Sequence, residues 1–270
     1  MVLFLWFNVI IKSVFIRAGD IMDKLVVKKM DVDIELNGLI TAVIGPTNSG
    51  KTTLLKKLCN KIDNSDIYID DINIKEYDIT FLRNNLVCVL DDDIHYTDTV
   101  TDELFFHLNE LGYNLSEINK KIKDILKYFK LEKIEHEYLD SLYMEDRMMV
   151  KILSYLIINP KVFAIDDLMS YLDDKRIEKI LDYIKEHNIT LIYVTTNTEF
   201  LLKADNVVVM NNMKSIMNSN VQSVLNGNSI LPYIGLKLPF IVDLSQNLIL
   251  YDLVDKVMTD EGKLVSKLWK

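Results

Sequence analysis

Gly45-Pro46-Thr47-Asn48-Ser49-Gly50-Lys51-Thr52-Thr53 decides how the rest of the chain reads. It spells G-x-x-x-x-G-K-[ST], the P-loop pattern. Two glycines let the backbone curl so that successive N–H groups face phosphate oxygens. Lys51 adds a point charge for the β- and γ-phosphates. Thr52 places a hydroxyl where Mg²⁺ sits, and the helix that follows aims its positive N-terminal end at the anion. The flanks agree. Leu39-Ile40-Thr41-Ala42-Val43-Ile44 is a continuous apolar run, the pattern of a strand buried on both faces. From Thr52 to Asn60, Leu54, Leu55 and Leu58 recur at helical spacing with lysines opposite. The alternative, a glycine turn that happens to precede a lysine, leaves this strand–loop–helix order unexplained.

Working outward, Val26-Val27 and the alternation Val32, Ile34, Leu36 predict strands, and Asn37-Gly38 a turn before the P-loop strand. Ile67, Ile69, Ile72 and Ile74 alternate around Asp70-Asp71 in a hairpin-like pattern. Leu86 to Leu90 is a further buried strand, and Asp91-Asp92-Asp93 opens a polar stretch. Residues from about 100 to 158 have helical periodicity, with Ser116 as an N-cap before Ile118, Ile122, Ile125, Leu126 and Phe129. Val162 to Ile165 is a strand that delivers Asp166-Asp167. Arg176 to His187 is an amphipathic helix, and Leu191–Thr195 and Val207–Met210 are strands. Strands alternating with helices predict an α/β protein with a parallel sheet and a ligand at the strands' carboxyl ends. Asp166, ending an apolar strand downstream of the P-loop, stands where a Mg²⁺-holding carboxylate belongs.

Composition narrows the function. The 270 residues suit one large domain with an appendage, or two small ones, and 49% hydrophobic residues are ample for a core. A net charge of −9 argues against nucleic-acid binding, which needs a basic footprint. Cys59 and Cys88 lie in apolar contexts and read as buried thiols of a cytosolic chain, and the four histidines form no zinc pattern. Met1 to Ile16 is apolar but interrupted by Lys12 and short of the ~20 residues a spanning helix needs. A strand pair is expected there, an interfacial or signal-like segment being the alternative, so any membrane role is peripheral.

An ordered series of short motifs resembles the ATP-binding cassette (ABC) ATPases. It runs from the P-loop through Leu82-Arg83 and a strand into Asp91, then Thr99-Val100-Thr101-Asp102-Glu103 and the helical block. Asn159-Pro160 to Asp166-Asp167 follows, then Ser170-Tyr171-Leu172-Asp173, Val194-Thr195-Thr196-Asn197 and Ala204-Asp205. The resemblance implies a fold with a mostly parallel sheet core, an N-terminal antiparallel β subdomain and a helical subdomain at about 92–158. It covers an ATP-binding domain of residues 1–217. Its ligands are ATP and Mg²⁺, held by Gly45 through Thr53, with Thr52, Asp166 and Asp91 on the metal. The family's catalytic glutamate falls on Asp167, which with Lys51 is the candidate catalytic pair. Phe7 or Phe15 stands where the family stacks an aromatic on adenine.

Four other positions depart from the family. The Q-loop glutamine falls on Asp91, the Leu-Ser-Gly-Gly-Gln signature on Leu142-Tyr143-Met144-Glu145-Asp146, the catalytic glutamate on the shorter Asp167, and the switch histidine on Thr196. Glycines permit close backbone approach to a ligand, whereas Tyr143 and Met144 block it and Glu145 repels phosphate. The expectation is ATP–Mg²⁺ binding with slow hydrolysis, and pairing with a more complete ATPase subunit.

Residues 218–270, with Pro232, Pro239 and a helical pattern from Leu244 and Leu248 through Leu253–Val257, resemble the C-terminal dimerisation-type domain of energy-coupling factor (ECF) transporter ATPases. That resemblance implies a heterodimer on the cytoplasmic face of the membrane, beneath an integral-membrane scaffold subunit. A nucleotide switch that regulates a protein partner outside transport is the alternative. A P-loop kinase or GTPase fits worst, since no Asn-Lys-x-Asp is present.

Overall fold

The computed structural model describes residues 22–91, 95–226 and 230–269. The N-terminal run expected as a strand pair, Phe7, Phe15, Asp92 and Asp93 lie outside them. The chain begins with β1 (Lys24–Val27) and β2 (Val32–Glu35), paired antiparallel with Leu25 opposite Ile34. Gly38, at φ +79°, makes the predicted turn into β3 (Ile40–Ile44). A side chain there meets Asn188, so glycine serves both the left-handed turn and the close approach.

All five residues of β3 are buried. Alternate residues face two different apolar clusters: Ile40, Ala42 and Ile44 join one, Val43 the other. This two-faced burial explains the unbroken apolar run. The P-loop follows, then α1 (Lys51–Leu58), whose Leu54, Leu55 and Leu58 are buried. α1 lies between the sheets, since residues of both surround those leucines in one cluster. Each fully buried leucine contributes roughly 1.5–3 kcal/mol.

β4 (Ile67–Ile69) and β5 (Ile72–Asn73) form the expected hairpin around Asp70 and Asp71, at φ +49° and +64°. Both central residues are left-handed, the twist that suits a two-residue hairpin. The Asp70 carboxylate accepts N–H bonds from Asp23 and Lys24, fastening the turn to β1. Next come α2 (Ile79–Asn85), capped by Asp78, and β6 (Leu86–Val89). The helical block consists of α3 (Val100–Glu110), α4 (Leu115–Phe129) and α5 (Met144–Leu156). The expected cap at Ser116 is corrected to Asn114, two residues earlier. Asn114 accepts from the Glu117 N–H while the Glu117 carboxylate accepts from the Asn114 N–H, a reciprocal capping box that leaves Ser116 inside the first turn.

β7 (Val162–Asp166), α6 (Asp174–Glu186), β8 (Thr190–Thr195) and β9 (Asn206–Asn211) complete the alternation. β10 (Lys214–Asn220) then returns antiparallel to β9. The four-stranded sheet has order β2-β1-β4-β5 and the six-stranded sheet order β10-β9-β3-β8-β7-β6, parallel apart from β10. This is the α/β architecture expected, with its antiparallel N-terminal sheet and helical block.

β10 runs through residues 217 and 218 and leads into α7 (Val221–Leu225), α8 (Ile230–Tyr233), α9 (Phe240–Leu250) and α10 (Glu261–Leu268). Leu231, Ile241, Val242, Val254 and Leu264 join the larger apolar cluster with the sheet and helical block. The helical pattern expected through Val257 stops at Leu250. Asp252 turns left-handed at φ +59°, and the N–H groups of Leu253 and Asp252 bond back to the carbonyls of Leu248 and Ile249, closing the helix in a Schellman motif.

Candidate functional site

The β3–α1 loop encloses a cavity of about 450 Å³ with the ends of β7 and β8. Thr47 through Thr53 line it together with Asp166, Asp167, Thr195, Thr196 and Met213. Two glycines make the curl possible. A Cβ on Gly45 would sit 2.3 Å from the Met210 carbonyl oxygen on β9. Gly50 has φ +106°, and a Cβ there would come within 2.9 Å of the Met213 Cα. Asn48 also turns left-handed, at φ +64°. Asparagine tolerates this better than most residues.

Lys51 is buried and its ammonium is fully engaged. It donates to the carbonyls of Gly45 at 2.7 Å and Pro46 at 2.9 Å, and to Ser49 Oγ at 3.4 Å. Gly45 and Pro46 thus hold the lysine at the cavity rather than lining it. Burial lowers the Lys51 pKa, and the Asp166 and Asp167 carboxylates oppose that shift.

Asp166 ends β7 beside the Thr52 hydroxyl, which hydrogen-bonds it. Burial raises the Asp166 pKa; Thr52 and Lys51 oppose this, while Asp167 and Asp91 add to it. The site is therefore short of positive charge at Asp166 and Thr52. A divalent cation supplies that charge. Among the described residues no group of three or more His, Cys, Asp and Glu side chains is placed to hold a metal alone. That suits Mg²⁺, which takes one or two protein ligands and completes its shell with phosphates and water. Asp91 does not line the cavity. Exposed past the end of β6, it reaches Asp166 through its field.

Asp167 is placed differently from Asp166. Its backbone is left-handed at φ +47°, and its N–H bonds the Val194 carbonyl at 2.9 Å. In the parallel register Asp166 sits opposite Val194, so Asp167 comes level with Thr195. Asp167 Oδ1 accepts two hydroxyls from β8: Tyr193 at 3.1 Å and Thr195 at 2.6 Å. Tyr193 is 2% exposed, and burial followed by the adjacent Asp167 charge pushes its phenol far above its ordinary pKa. Its hydroxyl therefore stays a donor at every physiological pH.

The segment aligned with the family signature carries its own network. Arg176 Nη2 donates to Asp146 at 2.7 Å, and Glu145 accepts the Asp173 N–H at 3.1 Å. Tyr143 and Met144 project outward, 85% and 57% exposed. Thr196 lies at the cavity rim.

A family model for the ABC transporter matches residues 27–170. The chain belongs to the ABC transporter ATPase family. This ABC ATPase is 30% identical to the energy-coupling factor transporter ATP-binding protein EcfA1 of Mesomycoplasma hyopneumoniae (strain 7448), over 92% of this chain and 93% of that protein. It is 25% identical to EcfA of Pediococcus pentosaceus over 85% of each chain. Among solved structures it resembles cbiO1 of Clostridium perfringens, described as part of the ABC transporter complex cbiONQ. There the TM-score is 0.65 at 24% identity, over 80% of this chain and 91% of the other.

Sequence reasoning missed two site residues of this ABC ATPase. Met213 shares the cavity through the tight β9–β10 turn, where Asn212 and Met213 have φ +48° and +66°, and its N–H bonds the Ser49 carbonyl at 2.8 Å. The asparagine was the available signal. Tyr193 reads as a core aromatic in an apolar run; its period-two spacing from Thr195, on the face toward Asp167, was the clue. A second cavity, of about 730 Å³, lies beside α2, β6 and α3 and is walled by Tyr77, Leu82, Arg83, Tyr96, Phe106 and Tyr155. The free cysteines Cys59 and Cys88, both half-buried as expected of apolar thiols, also line it. Among the described residues no helix is long and apolar enough to cross a membrane.

Proposed function

We propose that this chain is the ATP-binding subunit of an ECF-type membrane importer and that it binds ATP–Mg²⁺ but hydrolyses it slowly. The observation that carries the reading is the convergence of Lys51, Thr52 and Asp166 on the glycine-curled loop, with likeness to EcfA1 over nine-tenths of the chain beside it. Gly45 to Thr53 cradle the phosphates, and Lys51, already oriented by two carbonyls, faces the β- and γ-phosphates. Thr52 and Asp166 hold Mg²⁺, which neutralises charge developing on the transferred phosphoryl group. Asp91 approaches the same cation in the nucleotide-bound state.

Slow turnover follows from what surrounds the γ-phosphate. Asp167 lacks a methylene of the family's glutamate, and its Oδ1 is engaged by β8. Thr196 is too short to reach the phosphate as an imidazole would. Tyr143 and Met144 stand where glycines approach ATP on the opposing subunit. A partner ATPase with intact motifs supplies the second, faster site. The aromatic-walled cavity of about 730 Å³ beside the helical block is the surface for helices of the membrane scaffold, and the chain sits peripherally on the cytoplasmic face. The C-terminal segment from residue 218 contacts its counterpart in the partner.

Tagged chain expressed with its neighbouring open reading frames tests this. Recovery of a second ATPase and a multi-span membrane protein supports the importer subunit; a soluble partner alone supports the nucleotide switch. Turnover by the purified chain on the order of 1 s⁻¹ or faster contradicts the slow-hydrolysis part.

A further inference from the structure

Asp167 is the carboxylate nearest the role of general base, yet its Oδ1 accepts two hydroxyls from β8. The backbone reinforces this placement. The Asp167 N–H bonds the Val194 carbonyl at 2.9 Å, and the Ser170 N–H and Oγ both donate to the Asp167 carbonyl, at 3.0 and 2.6 Å. The residue is therefore fixed in a left-handed conformation, at φ +47°, with its carboxylate against the sheet. Tyr193 cannot retreat, because its ring is buried against Phe200 with centroids 4.1 Å apart. Thr195 is itself held, accepting the Asn197 N–H at 2.9 Å.

We infer that Tyr193 and Thr195 are positioning residues that park the Asp167 carboxylate on β8, away from the water that attacks the γ-phosphate. The inference rests on the ATPase reading above and deepens it. The two donors act in the same direction twice. They shorten the reach of a side chain already one methylene shorter than glutamate, and they stabilise its charged form, which weakens it as a base. A hydroxyl donated to a carboxylate holds it by a factor on the order of ten. The slow step is thus partly a latch, beyond the altered motifs themselves.

The test is steady-state ATPase activity of the purified full chain with Mg²⁺, beside nucleotide affinity measured by calorimetry. Tyr193→Phe keeps the ring and removes one latch donor; it raises kcat roughly tenfold, with KM and affinity little changed. Thr195→Val raises kcat independently, so the inference stands if either variant folds poorly. In an Asp167→Asn background the gain from Tyr193→Phe disappears, which loosening of the core alone does not produce. Unchanged or lower kcat in both variants, with ATP still bound, overturns the latch. A gain that survives Asp167→Asn overturns it too. Failure of the parent chain to bind ATP overturns the ATPase reading instead, so the two failures are distinguishable.

Discussion

Replacing Gly50 with alanine tests whether the loop is as constrained as its geometry requires. Three costs meet at this position. A side chain at φ +106° costs about 1–3 kcal/mol. The new Cβ would lie 2.9 Å from the Met213 Cα, 3.0 Å from its sulfur and 3.3 Å from the Met30 methyl. Met213 cannot move aside freely, because its N–H bonds the Ser49 carbonyl at 2.8 Å, and losing that bond costs about 1 kcal/mol. The total is roughly 2–4 kcal/mol, borne by the fold or by the ligand. If the loop keeps its shape, thermal unfolding moves down by about 2–4 °C per kcal/mol. If the loop relaxes, its N–H groups lose their aim and ATP affinity falls by roughly thirtyfold to a thousandfold. Scanning calorimetry and ATP titration on the same preparation separate these outcomes. Gly50→Ala combined with Met213→Gly relieves the contact but not the backbone angle, so it recovers only part of the loss. An alanine variant matching the parent in both measurements refutes the reasoning.

Asp166→Asn removes a charged metal ligand and leaves the loop intact; Mg²⁺-dependent nucleotide affinity falls about tenfold to a hundredfold while Mg²⁺-free binding barely changes, both read by titration. Glu103 is 1% exposed. Burial pushes its carboxyl up, but His95, the Thr97 hydroxyl and the Tyr96 N–H outweigh that and hold it below its ordinary 4.5. A depressed folded pKa stabilises above the unfolded value and loses that contribution as pH falls from 4.5 through the folded value. Glu103→Gln therefore lowers thermal stability near neutrality and flattens its acid dependence below that point, as melting curves across pH will show. Leu231→Ala cuts a fully buried side chain in α8 and costs about 2–5 kcal/mol if the C-terminal segment shares the main core; a loss under about 1 kcal/mol, measured by denaturant unfolding, marks that segment as accessory.

The phosphate cradle was legible because its residues carry their reasons locally. Glycine at Gly45 and Gly50, lysine next, and an apolar run before them each solve a problem set within ten residues. Asp166 was legible because it ends a strand. The hairpin at Asp70-Asp71 was legible because those residues accept left-handed backbone. What escaped depends on register between distant segments. Tyr193 looks like any aromatic in a buried strand until β7 is laid beside β8 and Asp167 comes level with Thr195. β10 escaped because Lys214 to Asn220 is polar and only half-buried, so its pairing with β9 leaves no apolar alternation. Met213 enters the site only through the β9–β10 turn.

The two neighbouring aspartates show how one strand end serves two tasks. Asp166 is still in β7, and its side chain meets Thr52 at the start of α1. One residue later the chain turns left-handed and sends the next carboxylate to β8. Holding a cation needs only Asp166 and the loop, both set by the sheet. Splitting a phosphate needs the second carboxylate free, and the hydroxyls of Tyr193 and Thr195 oppose that. Binding and hydrolysis are therefore separable here by substitutions on β8, because the groups that restrain Asp167 do not touch the cradle that grips the phosphates.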